Sequence, residues 1–345
     1  MYPIKKILKN LLLSLFILVM ILFLLITAIG CYGYLRIKYE RLELKNGQHI
    51  RYEWDSLLGY KSRPNTQTNL FDLPNAVTGI KSNREDSLIL FTTDSFGRRI
   101  QPFHEGRKKH LIFFGCSYTY GEIVGDQETY PFYLGLLDSA SNIYNYALSG
   151  YSTQHMLEIL KRGISGQVAE PNGTAIYMFI DNHKERVAYD PFTLMWGYGF
   201  VQYYLKDNTE LKSYGTFYDA EKMMTSFWKG VGVLKLWPIF IPVYKTILNE
   251  DEIRMDQGRY ELLAKIVAQS KCLYLKEFPH GRFITAIFPG ESTNIIPYLQ
   301  HQHIEVMDLS HSIDLKAMHG IGADGYHPNK IGDSMIAQSI YTWFK

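Results

Sequence analysis

The stretch Leu111-Ile112-Phe113-Phe114-Gly115-Cys116-Ser117-Tyr118-Thr119-Tyr120-Gly121 decides how this chain is read. Its apolar start reads as a strand, and the strand runs into a turn flanked by glycines that carries one serine. In an open α/β sheet, ligands bind at the carboxyl ends of the strands, so this turn would hold the Ser117 hydroxyl at the mouth of the crevice. A free serine hydroxyl is a weak nucleophile. It needs a base within hydrogen-bond reach, and the base needs a third group to orient it.

Such a pair stands near the other end of the chain, in Asp324-Gly325-Tyr326-His327-Pro328. A carboxylate three residues ahead of an imidazole can fold back in a turn and fix its tautomer, leaving His327 free to take the Ser117 proton. Asp-Gly is also a common turn, and a histidine before proline at a helix start can be incidental. The strand-end serine in the same chain is what turns the pair into a catalytic candidate.

Outward from these two motifs, short apolar runs alternate with helical stretches, the pattern of a parallel sheet covered by helices. Strands are expected at 111–114, 143–146, 174–180, 283–288 and 304–307, and helices at 130–137, 154–162 and 256–276. Five strands with crossover helices fit a flavodoxin-like α/β sheet. A last helix from about Lys330 sets Ile331, Met335, Ile336, Ile340 and Phe344 near one stripe. The catalytic domain is thus expected over 108–345. Ahead of it, residues 32–107 read as an irregular collar with short strands, marked by the turn-like Arg63-Pro64-Asn65 and Ser95-Phe96-Gly97. An insertion at about 185–249 is rich in Trp, Tyr, Phe and Gly; such segments serve as lids or binding surfaces or pack as small subdomains, and docking on a membrane surface is a third reading. If it is a lid, Trp196, Tyr198, Tyr203 and Tyr204 are its candidate contacts.

Residues 11–29 carry no charge, and a helix of that length rises far enough to cross a hydrocarbon core about 30 Å thick. Residues 1–31 are therefore expected to be a transmembrane anchor. Lys5, Lys6 and Lys9 precede the run, while Arg36, Lys38, Arg41 and Lys45 follow it mixed with Glu40 and Glu43, so charge alone does not orient it. A short basic start followed at once by an apolar run resembles an export signal. That places the amino terminus inside and the enzyme outside, on the periplasmic or extracellular face. Ala28-Ile29-Gly30 is a poor cleavage site. Ala28-Ile29-Gly30-Cys31 loosely resembles a lipoprotein box, with acylated Cys31 as the alternative.

With 36 Lys and Arg against 34 Asp and Glu, the formal charge is +2. Nothing in this balance suggests the cationic face that nucleic acid needs. Cys31, Cys116 and Cys272 form neither a disulfide framework nor a close zinc-binding set. His301 and His303 lack accompanying ligands, so no metal and no cofactor are expected. The 26 tyrosines suit sugar contact, but on count alone they are read as ordinary packing.

Four ordered blocks resemble those of the SGNH, or GDSL, hydrolase family: Gly115-Cys116-Ser117 with Gly121, then Asn145-Tyr146-Ala147-Leu148-Ser149-Gly150, then Asp181-Asn182, then Asp324 to His327. The resemblance implies a three-layer αβα sandwich, Ser117 as nucleophile, and Asp324 and His327 as acid and base. It also implies an oxyanion hole made by the backbone amide of Ser117, Gly150 and Asn182. Two departures stand out. The family's aspartate before the serine is Cys116 here, and its Gly-x-Asn-Asp block reads Phe179-Ile180-Asp181-Asn182-His183. Asn182 remains the preferred donor because Asp181 would repel negative charge, with His183 as the alternative. Leu58-Gly59-Tyr60 and Pro64-Asn65 also resemble a segment of membrane-tethered bacterial members.

The expected activity is hydrolysis of an acyl or acetyl ester on a carbohydrate, lipid or other cell-envelope substrate, through an acyl-serine intermediate. Two alternatives stay open. One is an O-acyltransferase acting on an exported or envelope glycan with the same triad, and the other is a non-catalytic anchored binding protein that retains the fold.

Overall fold

The computed structural model describes residues 9–25, 28, 46–47, 49–69, 89–187, 201–206, 210–216 and 252–345. The collar supplies two antiparallel pairs, β1 (Tyr52–Asp55) with β2 (Gly59–Ser62) and β3 (Gln67–Asn69) with β4 (Leu90–Thr92). The main sheet follows with β5 (Lys109–Phe114), β6 (Ser141–Asn145) and β7 (Asn172–Phe179). After the antiparallel hairpin of β8 (Val201–Lys206) and β9 (Glu210–Thr216), it is completed by β10 (Arg282–Ile287) and β11 (Glu305–Asp308). These five strands are parallel, in the order β11-β10-β7-β5-β6. That is the flavodoxin-like order expected from the alternation. The chain leaves β5 toward one edge of the sheet and β7 toward the other, so a crevice opens where their carboxyl ends part.

Side chains alternate across a strand, and here both faces are buried. Ile112, Phe114, Ala175, Tyr177, Phe179, Phe283 and Ile287 face a core shared with α3 (Thr153–Lys161) and α5 (Glu252–Glu277). Leu111, Phe113, Ile176, Met178, Ile284, Ala286 and Met307 face the opposite core, under α2 (Tyr130–Leu137) and α7 (Lys330–Phe344). The architecture is therefore helix, sheet, helix. Ends are set by local chemistry: Thr129 Oγ1 accepts from Phe132 N to cap α2, and Asn329 Oδ1 accepts from Ile331 N and Gly332 N to cap α7.

The collar is fastened to this body. The Asp55 carboxylate turns the β1–β2 hairpin by accepting from the amides of Leu57 and Leu58, and it also takes both Nη atoms of Arg162, each at 2.7 Å. Burial pushes its pKa up, but the Arg162 fork and the amides outweigh that and hold it down to about 2.

Residues 9–25 are helical with exposed side chains. Among the described residues no helix is long and apolar enough to cross a membrane. Residues 26, 27 and 29 of the expected span, like Cys31, lie outside the described residues, as do Trp196 and Tyr198. Of the other two candidate lid contacts, Tyr203 departs from expectation. The alternation of β8 turns it inward, where it is 4% exposed and donates to Glu158 on α3, so it packs rather than facing a ligand. Its neighbour Tyr204 points outward, 37% exposed.

Candidate active site

Ser117 begins the short helix α1 (Ser117–Tyr120), immediately past the carboxyl end of β5. The turn is tight. A Cβ on Gly115 would sit 2.1 Å from Thr119 Oγ1, a side chain itself fully buried, so only glycine lets the strand pass into the helix here. The helix ends at Gly121 in the left-handed region, φ 80°, with its amide donating to Ser117 O at 2.9 Å.

The loop bearing the other two residues is held at both ends. Gly322 N donates to His327 O at 2.8 Å, and Asn329 Nδ2 donates to the carbonyls of His319 and Ile321. Gly325, at φ 78°, lets Asp324 fold back on its own loop. Asp324 Oδ1 accepts from the amides of Tyr326 and His327, and Oδ2 lies 2.5 Å from His327 Nδ1. On the far side of the ring, His327 Nε2 is 2.7 Å from Ser117 Oγ, across 210 positions of sequence. The structure thus brings Ser117, His327 and Asp324 into one hydrogen-bonded line. Burial pushes the Asp324 carboxyl up, but the bonds from the imidazole and the amides outweigh it and hold the group below its ordinary range. Ionised, Asp324 accepts from Nδ1–H, which leaves the Nε2 lone pair facing the serine hydroxyl.

Aromatic contacts and a cleft flank this line. Tyr118 packs its ring on His327, centroids 4.8 Å apart, and meets Phe288 edge-on at 5.0 Å. A cleft of about 590 Å³ opens beside them, lined among others by Tyr118, Glu291, Ser310, His311, Asp314 and Tyr326. The amides of Ser117 and Gly150 have no acceptor among the described residues. Gly150 sits at φ 82°, a conformation costly for any residue with a Cβ.

The Asn182 side chain is exposed; its Nδ2 donates to Glu185 and its Oδ1 accepts from Arg186 Nε, both within its own turn. The alternative, His183, is turned into the core: it is fully buried, with Nδ1 2.6 Å from the Tyr177 hydroxyl. Burial first, then the charge of Arg186, keeps its pKa well below the usual value, so it is neutral. Asp181 accepts from Tyr260 and Lys184, and the lysine offsets its negative charge.

Sequence reasoning missed two buried arginines of the collar. Arg99 is 1% exposed and spends its guanidinium on the carbonyls of Leu90, Tyr120, Gly121 and Val124 and on Asp126. It holds the loop that follows the nucleophile. Arg51 reaches Glu122 in the same loop at 3.3 Å. The sequence offers little signal for them: Arg51 stands between Ile50 and Tyr52, and Arg99 between Arg98 and Ile100, in a segment without periodicity. Among the described residues no group of His, Cys, Asp and Glu could hold a metal ion, and His301 and His303 are exposed.

Fold and site together define an α/β protein with a serine, histidine and aspartate line at the carboxyl edge of a parallel sheet. The sequence matches no protein-family model and no curated protein. Solved structures do resemble it. A lipolytic protein of the G-D-S-L family from Veillonella parvula is 14% identical with a TM-score of 0.38, over 68% of this chain and 98% of that one. A family 3 carbohydrate esterase from Clostridium thermocellum is 12% identical with a TM-score of 0.36, over 68% of this chain and 94% of that one. A putative lipolytic protein of the G-D-S-L family from Desulfitobacterium hafniense is 14% identical with a TM-score of 0.32, over 68% and 98%. Likenesses at this level leave the chemistry to the site itself.

Proposed function

We propose that this chain is a serine esterase of the SGNH type, with Ser117 as nucleophile, His327 as base and then acid, and Asp324 as the group that orients the imidazole. One observation carries the reading: the unbroken line from Ser117 Oγ to His327 Nε2, and from His327 Nδ1 to Asp324. In the first half-reaction, Ser117 Oγ bonds to the ester carbonyl carbon as its proton passes to His327 Nε2. The bond to the leaving oxygen then breaks, and that oxygen takes the proton from the imidazolium. Water repeats the sequence on the acyl-serine and releases the acid. Charge developing on the carbonyl oxygen is stabilised by the amides of Ser117 and Gly150, which have no competing acceptor among the described residues.

The alcohol part of the ester is a glycan or another hydroxylated envelope component. Its support is the lining of the adjacent cleft, where carboxylates, an imidazole and a hydroxyl stand beside the exposed ring of Tyr326, a better match to sugar hydroxyls than to a long acyl chain. The uncharged run at residues 11–29 supports a membrane tether, with the enzyme outside the cytoplasm.

Full-length protein purified in mild detergent should hydrolyse p-nitrophenyl acetate, and Ser117→Ala should lower kcat/KM by roughly a factor of a thousand or more. Equal turnover by the alanine variant would remove the assignment.

A further inference from the structure

The collar reaches the oxyanion side of the site through one peptide plane. Tyr60, on β2, donates its hydroxyl to Ser149 O at 2.6 Å, and its own carbonyl accepts from the Tyr151 hydroxyl at 2.7 Å. Ser149 O and Gly150 N–H belong to the same planar trans peptide, so the two groups point in opposite directions. Gripping the carbonyl therefore aims the amide. The turn that contains this peptide is closed by Tyr151 N donating to Leu148 O at 3.0 Å, with Gly150 at φ 82°, and Tyr60 adds a side-chain hold on its central carbonyl.

A second grip acts on the same unit from the other side. The Ser149 hydroxyl donates to Glu122, and Glu122 Oε1 lies 3.3 Å from Arg51 Nη1. Glu122 N in turn donates to Ser117 O at 3.1 Å, so one residue touches both the nucleophile's backbone and the donor turn. Arg51 is itself fixed over the Phe91 ring, 4.2 Å to its centroid.

We propose that Tyr60 is a positioning residue for the oxyanion hole: the collar hydroxyl orients and polarises the Ser149–Gly150 peptide so that its N–H faces the developing oxyanion, with Arg51 and Glu122 as the second hold. A carbonyl that accepts a hydrogen bond also makes its own N–H a stronger donor. This rests on the esterase reading, and it makes the collar part of the catalytic machinery rather than a spacer.

Tyr60→Phe keeps the ring, which packs between Tyr52 and Tyr151, and removes only the donor. The expected result with p-nitrophenyl acetate is a fall in kcat of about tenfold, a fraction of what deleting an oxyanion donor costs, with KM within about twofold. The acid limb of the pH profile should be unchanged, with the melting temperature lowered by only a few degrees for the one lost hydrogen bond. Affinity for a trifluoromethyl ketone, which forms the tetrahedral adduct, should weaken by the same factor as kcat/KM. Ser149→Ala, which leaves the peptide in place and removes the second hold, should lower kcat in the same direction and serves if Tyr60→Phe fails to fold. Unchanged kcat in both variants, in a preparation whose turnover is abolished by Ser117→Ala, overturns the proposal while leaving the esterase reading standing. Absence of Ser117-dependent turnover in the native protein overturns both.

Discussion

At the scale of single residues, the site depends on small groups held in conformations that few alternatives tolerate. Asp324 accepts three hydrogen bonds from its own loop, and the one to His327 Nδ1 decides which imidazole nitrogen keeps its lone pair for Ser117. Asp324→Asn keeps the shape but offers an amide where a carboxylate accepted, which favours the wrong tautomer. We expect kcat to fall by roughly a thousandfold or more with KM little changed, as measured by steady-state hydrolysis of p-nitrophenyl acetate. A variant retaining most of its kcat would mean that the tautomer is set elsewhere. Ser117, Asp324 and His327 were legible in the sequence, because a strand-end serine between glycines and an Asp-x-x-His turn are local patterns. Asn182 was carried over from a family block, and its Nδ2 donates to Glu185 within its own turn.

At the scale of elements, the nucleophile's helix is too short to hold itself. Four residues between a strand and a left-handed glycine gain little from their own hydrogen bonds. What steadies the following loop is Arg99, whose contacts with four carbonyls and Asp126 bind β4 to the segment from Tyr120 to Asp126. Arg99→Met fills similar space and leaves those acceptors, including a buried carboxylate, without their donor. The expected loss is about 3–5 kcal/mol of stability, read by urea denaturation, together with reduced kcat because that loop continues directly from the helix of Ser117. A loss below about 1 kcal/mol would show that the carbonyls find other partners. The five strands and most helices fell within one or two residues of their expected positions, and α5 began four residues earlier than expected. The collar arginines did not announce themselves, since their partners are backbone carbonyls that carry no residue identity.

At the scale of the whole molecule, α7 closes the sheet and brings Asp333 with it into a fully buried position. Burial first, then the nearby charge of Glu128, pushes this carboxyl well above its ordinary value, against the opposing pull of the Tyr130 backbone and Arg99. An acid whose folded pKa is raised binds its proton more tightly when folded, so stability is highest below the unfolded value and is lost as pH rises toward the folded one. Asp333→Asn removes this titration. The variant should be more stable than the native protein at pH 8, by a margin on the order of 1–3 kcal/mol seen as a higher melting temperature, and the margin should shrink toward pH 4. Parallel melting curves across that range would place the titration elsewhere.

The sequence by itself determined the strand and helix alternation, the nucleophile's turn and the carboxylate that folds back on its imidazole. Each of these depends on neighbours along the chain, through side-chain periodicity and turn chemistry. Only the tertiary structure decided that His327 meets Ser117 across 210 positions, that Tyr203 packs inward, and that a collar without periodicity grips the Ser149–Gly150 peptide. Those contacts join segments far apart in sequence, and their geometry exists only once the order of strands in the sheet has set which loops share an edge.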